Sequence, residues 1–466
     1  MRLFYRILCM TVIVAPLRMV GQLKTFTLSQ TLEIVKQFHP IAKQSNLLLE
    51  QAKAGMLMAQ GGFDPSLFMS QESKTFDGKQ YYQTLNPEIK LPLWFGVELK
   101  GGTEQNMGKA LSTELTPGRS SYLGISVPVM KDLLFDKRRA DLQISKTMLT
   151  MSKDQRQLLL NDLLLDATAS YWNWVRTFQN YQNIKVILQR TAERLENIKR
   201  MVANGDRAAI DTLEAQLQWQ TVSNQYNQCK MEWAQSTWGL SNFLWDATQQ
   251  PYVLDSTVQP DASWLELSPV LVANEVLVSE NEDLSSHPKI KMMASKMDIL
   301  KIEKRLKVQS LLPSVKLQYN FLNKGYFTAA PTHADFLSNN YKAGIQLSVP
   351  LLQRQARGSL QQANIKIQDQ QWEQSQTTLE ITNKIRSYRA EVNAYLEQLL
   401  LQQTMELQYE KLFELEEQKF KLGESSLFVL NTREVKWIEA QQKTVELRTK
   451  LYKSIMALKW ARGLTL

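Results

Sequence analysis

The residues that could do chemistry in this chain are few, and their spacing is not that of a catalytic or metal-binding site. The 466 residues include three histidines and two cysteines, and no pair of them has the spacing of a zinc site. There is no glycine-rich phosphate loop and no serine, histidine and acid set in the context of a hydrolase. We therefore predict a protein that is not an enzyme, with no cofactor and no bound metal.

Two of the histidines repeat one local pattern. His39 and His287 each precede a proline that would begin a helix, so we predict a structural role for both, whereas His333 lies alone in a loop. A dense aromatic cluster within a helical run has two interpretations, packing against the proline-containing segment 247–286 or a ligand cage, and packing is favoured. Its members are Tyr171, Trp172, Trp174, Phe178 and Tyr181.

The N-terminus is typical of a secretory signal. A positively charged start is followed by the apolar run Ile7–Leu17, which is too short to span a bilayer. We expect a signal peptide at 1–21; the alternative is a buried or anchoring segment. Cleavage would remove Cys9 and leave Cys229, which excludes an intrachain disulfide. No later stretch is apolar for long enough to predict a helical membrane span.

Composition places few limits on partners but strong limits on the fold. The net charge of +9 comes from basic residues scattered among acidic ones, which indicates a solvated surface and no nucleic-acid partner. Half of the 18 glycines lie between Gly61 and Gly124, whereas 139–204 and 359–422 contain neither glycine nor proline. Because a compact domain needs frequent turns, these two runs exclude an ordinary globule. As helices they would each be about 100 Å long.

The chain is an internal duplication. His-Pro at 39–40 recurs at 287–288, Pro-Ser at 65–66 recurs at 313–314, and Ser-Val-Pro at 126–128 recurs at 348–350. Two repeats, 22–246 and 287–462, would be joined by an equatorial segment, 247–286. We predict short helices, a strand region, a long helix and a second helix in the first repeat at 28–61, 63–130, 139–204 and 207–246. The second repeat would have a helix, strands, a long helix and a last helix at 288–311, 313–350, 359–422 and 426–462.

Heptad spacing within the long runs predicts coiled-coil packing. The first seam would be Ile184, Leu188, Leu195, Ile198 and Val202, and the second Leu401, Met405, Leu412, Leu415 and Leu422. The strand regions alternate apolar and polar residues, which is typical of a sheet with two different faces. A soluble sandwich is one explanation. However, two isolated strand pairs cannot close a sheet within one chain, so strands from other copies are expected.

The order and duplication of these motifs resemble the TolC-like outer-membrane efflux proteins over roughly 27–462. The motifs are the His-Pro helix starts, Phe63-Asp-Pro-Ser66, Leu312-Pro-Ser314, the Ser-Val-Pro strand ends, and the turns at Gly205 and Gly423. The resemblance implies a mainly α-helical fold with a small β-barrel part. Duplicated long-helix coiled-coil hairpins would form an α-helical tunnel, and each protomer would contribute four strands to a trimeric 12-stranded transmembrane barrel.

The function implied by the resemblance is a passive exit channel in the outer membrane of a Gram-negative bacterium, with a long periplasmic extension. As a homotrimer, it would connect through a periplasmic adaptor protein to an inner-membrane pump, in a tripartite efflux or type I secretion system. The alternative is a soluble or secreted coiled-coil scaffold without channel activity.

Alternation then assigns the two faces of the barrel, although a one-residue slip would invert them. The lipid face would be Leu123, Ile125, Val127, Val315, Leu317, Tyr319, Ile345 and Leu347. The lumen would be lined by Ser126, Lys316, Gln318 and Gln346.

The resemblance also implies that the two helix–turn–helix tips constrict the tunnel and meet the adaptor. The residues would be Gly205, Asp206, Asp211 and Glu214 in the first repeat and Gly423, Glu424, Asn431 and Glu434 in the second. Asn431 stands where the family often has an acid, so a ring of carboxylates is expected only at Asp211. The alternative is that Asp211 and Glu214 merely cap and solvate a helix N-terminus.

One feature departs from the family pattern. The strand region of the first repeat is much longer than that of the second and contains an additional alternation at Ile89–Lys100. It could be a loop, a bend in one long strand, or an extra hairpin outside the barrel.

Overall fold

The computed structural model describes residues 25–112, 115–255, 258–265, 267–277, 284–325 and 340–464. The expected signal peptide and His333 lie outside these ranges. The chain divides into two compact units. The first comprises 1–39, 164–278 and 390–456, and the second comprises 40–163, 279–389 and 457–466.

Helices account for most of the described chain. Two of them, with 67 and 68 residues, are each about 100 Å long at 1.5 Å per residue. The helices are α1 (Leu28–Phe38), α2 (Pro40–Gln60), α3 (Lys137–Ala203), α4 (Ala209–Ser241), α5 (Pro269–Leu277), α6 (Pro288–Gln309), α7 (Arg354–Lys421) and α8 (Leu427–Ala461). Within the described ranges, none of the helices is both long and apolar enough to cross a membrane.

The strands form one large antiparallel sheet in the second unit and one small parallel pair in the first. The pair joins β1 (Thr25–Phe26) to β6 (Gln259–Pro260). The six strands of the large sheet are β2 (Ser66–Phe76), β3 (Lys79–Pro92), β4 (Glu98–Met107), β5 (Gly118–Pro128), β7 (Ser314–Lys324) and β8 (Tyr341–Ser348), adjacent in that order. The predicted class, mainly helical with a small antiparallel β part, is confirmed.

The described sheet has six strands, two more than the four per protomer that the resemblance implied for the barrel. The long strand region of the first repeat forms an additional hairpin, β3 and β4, which lies within the sheet between β2 and β5. The signal for it was present in the sequence. Asp77 and Gly78 both have positive φ, 53° and 69°, and an Asp-Gly pair between alternating segments favours a two-residue hairpin turn.

The core of the first unit confirms one of the two predicted heptad seams. Ile184, Leu195 and Ile198 of α3 are buried in a hydrophobic cluster. The second seam does not pack within the described chain, because Leu401 and Leu422 are 66% and 74% exposed. The same helix instead buries a row displaced from it, which includes Leu399, Phe413 and Phe420. Phe413 stacks on Trp437 of α8 with ring centroids 5.3 Å apart, so aromatic packing determines which face of α7 turns inward.

The repeated histidine and the aromatic cluster have structural roles. The Nδ1 atom of His287 accepts a hydrogen bond from the Lys289 backbone N–H at 3.1 Å and so caps α6. Trp172 stacks on Tyr452 at 4.6 Å and meets the edge of Trp264, in the equatorial segment, at 6.0 Å. The prediction that the aromatic residues pack against that segment is therefore correct for Trp172.

Candidate functional site

The large sheet of the second unit has an apolar face that is open to its surroundings. In β5, Leu123 and Ile125 are 48% and 37% exposed, whereas Tyr122 and Ser126, which flank them, are buried. Cross-strand partners share a face, and the register aligns the predicted residues. The pairs are Ile125 with Tyr319, Val127 with Leu317, Leu317 with Ile345, and Val315 with Leu347; Leu123 faces Phe321. All eight residues predicted for the lipid side therefore lie on one face.

The four residues predicted for the lumen share the other face. Ser126 is paired with Gln318, and Lys316 with Gln346. Of these four residues only Ser126 is buried, and Lys316, Gln318 and Gln346 are exposed. On the same face, the Tyr122 hydroxyl of β5 donates to a Glu88 carboxylate oxygen of β3 at 2.6 Å. Gly102 lies between them in the register, and a Cβ there would be 2.8 Å from that hydroxyl. The sequence analysis did not identify this contact, since it joins strands that are not neighbours in the sheet.

The exposed apolar face distinguishes this sheet from a water-soluble one. A soluble antiparallel sheet packs its apolar face on a core and leaves its polar face in water. Here the apolar face is exposed, and the polar face is buried at Tyr122 and Ser126 of β5 but exposed on β7 and β8. An outward apolar band with polar residues inside is the pattern of a sheet that faces lipid.

The two predicted tip turns, both in the first unit, have the same geometry. Gly205 and Gly423 have φ of 82° and 80°. The next residue donates its N–H to a carbonyl five residues back in each case, Asp206 to Met201 and Glu424 to Lys419, both at 2.9 Å. This is the Schellman helix end, in which glycine relieves the strain of the left-handed conformation.

A buried ion pair connects the two hairpins above the tips. Arg194 of α3 forms a bidentate contact with Glu434 of α8, with nitrogen–oxygen distances of 2.7 and 3.0 Å. Arg194 also donates to Asn431 at 3.3 Å, and Gln218 of α4 donates to Glu434 at 3.2 Å. The Glu434 side chain is 1% exposed. Two of the predicted tip residues, Asn431 and Glu434, therefore hold the helices together within the protomer.

A second arginine connects the turns themselves. The Arg207 guanidinium donates to the Phe420 carbonyl oxygen at 3.2 Å and lies over the Phe420 ring at 4.4 Å. It is also 3.8 Å from a carboxylate oxygen of Asp211. Burial and the Asp211 charge raise the pKa of Glu214. Asp211 lies in the first turn of α4, where a negative charge is favoured, although the N-cap is Ala208 without a side-chain hydrogen bond. The alternative that Asp211 and Glu214 cap and solvate this helix N-terminus is therefore supported in its electrostatic part only.

Sequence reasoning missed Arg194, Arg207 and Gln218. Their partners lie in another hairpin more than 200 positions away, and no local pattern marks such a pair. Among the residues that the structure describes, no group of His, Cys, Asp and Glu could hold a metal ion.

The chain is similar to a known family over part of its length and to solved structures over nearly all of it. The outer membrane efflux protein family matches residues 281–464, which correspond to the second repeat. No curated protein matches the chain.

Several solved outer-membrane channels share the fold over 94% of this chain. They include the Campylobacter jejuni CmeC channel, at 14% identity and a TM-score of 0.63 over 85% of its length. Vibrio cholerae VceC is 13% identical, with a TM-score of 0.62 over 96% of its length. The open state of the Neisseria gonorrhoeae MtrE channel is 12% identical, with a TM-score of 0.62 over 89% of its length.

Proposed function

We propose that this protein is a trimeric exit channel. Its second repeat resembles the TolC-like outer-membrane efflux channels by sequence, and 94% of its length resembles them by fold. It would lie in the outer membrane of a Gram-negative bacterium and conduct its cargo passively from the periplasm to the exterior. A periplasmic adaptor and an inner-membrane pump would supply the cargo and the energy. The helices would form the periplasmic tunnel and the sheets the barrel.

The exposed apolar face of the sheet carries this proposal. Closed barrels are the β structures that satisfy all their backbone hydrogen bonds in lipid, and a sheet with these two faces fits one wall of such a barrel. Aromatic side chains at one end of the sheet add support. Trp94 and Phe95, in the turn between β3 and β4, are 61% and 57% exposed, as expected for side chains at a membrane–water interface.

The alternative, a soluble or secreted coiled-coil scaffold, does not explain the exposed apolar face. A soluble scaffold would leave Leu123, Ile345 and Leu347 in water, at 48%, 77% and 65% exposure. An apolar surface of this kind on a soluble protein is a site of association or aggregation.

Membrane fractionation tests the proposal directly. We expect the protein in the outer-membrane fraction, as a trimer that resists dissociation in detergent until heated. Purified trimers should conduct ions in planar bilayers. Recovery in the soluble periplasm without a trimer would favour the scaffold.

A matched pair of neighbouring variants tests the direction of the faces. Ile345→Arg would place a charge on the proposed lipid side, at a cost of about 2–4 kcal/mol near the bilayer centre. Gln346→Arg would place the same charge in the proposed lumen at little cost. We expect the first variant to reduce the amount of assembled trimer in the outer membrane several-fold and the second to leave it unchanged. The opposite result would mean that the two faces are inverted.

A further inference from the structure

The large sheet has two free edges. It ends at β2 on one side and at β8 on the other, and neither pairs with a further strand in the described part of the chain. Every residue of β8 is exposed, and so is every residue of β2 after Ser66. Each edge carries unpaired N–H and C=O groups, which cannot stay unpaired in lipid.

The direction of the strands makes the two edges complementary. All five pairings within the sheet are antiparallel, so β2 and β8 run in opposite directions. The β8 edge of one copy can therefore form an antiparallel ladder with the β2 edge of the next copy. The inserted hairpin preserves this match because it adds two strands and not one.

The inserted hairpin continues the apolar face. Leu67 of β2 is paired with Ile89 of β3, Leu91 with Leu99, and Leu99 with Ile125 of β5. The apolar band thus runs without interruption from β8 to β2. An extra hairpin outside the barrel would not be expected to continue this apolar band.

Side-chain contacts on the polar face also connect the hairpin to the neighbouring strands. Glu88 of β3 accepts the Tyr122 hydroxyl across Gly102 and pairs with Lys90 at 2.9 Å. Lys90 in turn lies over the Phe68 ring of β2 at 4.2 Å. These contacts connect β2, β3 and β5 on the side proposed to face the lumen.

We propose that each copy places all six strands in the barrel and that neighbouring copies join through β2 and β8. This inference rests on the trimeric channel proposed above and extends it. Six strands from each of three copies make eighteen. Because barrel diameter grows roughly linearly with strand number, the barrel would be about 1.5 times as wide as one of twelve strands. Such a barrel would pass larger cargo than a twelve-stranded one.

Cysteine cross-linking between copies tests which strands meet. In a Cys9→Ser, Cys229→Ser background, Met69→Cys on β2 is combined in turn with cysteine at Ala343, Ile345 and Leu347 of β8. All four positions lie on the apolar face. A disulfide needs Cα atoms within about 7 Å, so one β8 position should convert most of the protein to covalent dimers and trimers, and the others much less.

The control replaces Met69→Cys with Thr103→Cys, on the same face of β4. In an eighteen-stranded barrel β4 lies two strands inside the edge, so Thr103→Cys should not cross-link to β8 at any of the three positions. Cross-linking from Thr103, or none from Met69 in an assembled trimer, would overturn the inference and leave the channel intact. The absence of a wild-type trimer would instead overturn the proposed function, and this inference with it.

Strand counting in the wild-type trimer avoids any effect of substitution on assembly. An electron cryomicroscopy map of the barrel in detergent or nanodiscs should show eighteen strands. A map with twelve would overturn the inference.

Discussion

Arg194 and Glu434 form a deeply buried ion pair in the first unit, with side chains that are 10% and 1% exposed. Taking two charges out of water is costly, and the cost is offset only when the remaining donors and acceptors are satisfied. Here both carboxylate oxygens accept from Arg194, and Gln218 supplies a further donor. The pair therefore holds α3, α4 and α8 in one arrangement, and losing either partner would leave a buried charge alone.

Glu434→Gln should consequently destabilise the first unit by about 3 kcal/mol, the usual cost of breaking a buried pair. The matched control is Glu196→Gln, which removes an exposed partner of Lys199 on α3 and should have almost no effect. Thermal unfolding followed by the helical circular dichroism signal would measure both. Equal melting temperatures for the two variants would show that the pair contributes nothing.

His287 makes stability depend on pH. Burial lowers its pKa below the ordinary value of 6.5, and the neutral ring caps α6 through Nδ1. Below pH 6.5 the unfolded chain therefore binds a proton that the folded chain does not, and stability falls as the pH falls. The contribution is fully present above pH 6.5.

The variant His287→Asn keeps a capping side chain without the titration. Between pH 7 and pH 5, we expect its melting temperature to fall less than that of the wild type. His39, whose pKa burial also lowers, remains in both proteins and contributes equally. Parallel pH profiles would contradict the assignment to His287.

Among the secondary-structure elements, the two tip turns show most clearly how one residue type determines the local backbone conformation. Gly205 and Gly423 adopt the left-handed conformation in open space, with nothing within 4 Å of an added Cβ. Gly205→Ala should therefore destabilise the fold by about 1–2 kcal/mol through backbone strain alone.

Gly239→Ala is the control. Gly239 lies inside α4, also has open space around it and has no positive φ, so alanine there should stabilise the helix by up to about 1 kcal/mol. Urea unfolding of the two variants should give shifts of opposite sign, and shifts of the same sign would refute the turn geometry.

What the sequence could predict was decided mainly by how local each signal is. Glycine turns, proline-started helices and period-two strands depend on neighbouring residues, so they could be predicted. The seam of α7 could not, because the choice between Leu415 and Phe413 depends on Trp437 in another helix. The ion pair of Arg194 with Glu434 was missed for the same reason. The inserted hairpin was predictable from Asp77-Gly78, but the family pattern of four strands argued against it.

At the scale of the whole molecule, each unit by itself leaves surfaces that a single chain does not cover. The second unit exposes the apolar face and both edges of its sheet. The first exposes leucines at heptad positions of α7, with Leu401, Leu415 and Leu422 at 66%, 48% and 74%. Lipid would cover the sheet face, and other copies would cover the sheet edges and the leucine row. In the proposed trimer, the heptad pattern of α7 would therefore be a seam between chains.

Block of the current by divalent cations is a property that only the assembled channel would have. Three copies of the first tip would bring three Asp211 carboxylates around one axis, where their summed field would attract divalent cations. Within the protomer Arg207 lies only 3.8 Å from Asp211, so the carboxylate is partly compensated and the ring should be moderate in strength. We expect Asp211→Asn to weaken the block of single-channel current by millimolar magnesium severalfold. Glu193→Gln, an exposed acid on α3 away from the turn, should leave the block unchanged. An equal block in wild type and Asp211→Asn would exclude Asp211 from the constriction, whereas an equal effect of both variants would indicate only a change in overall charge.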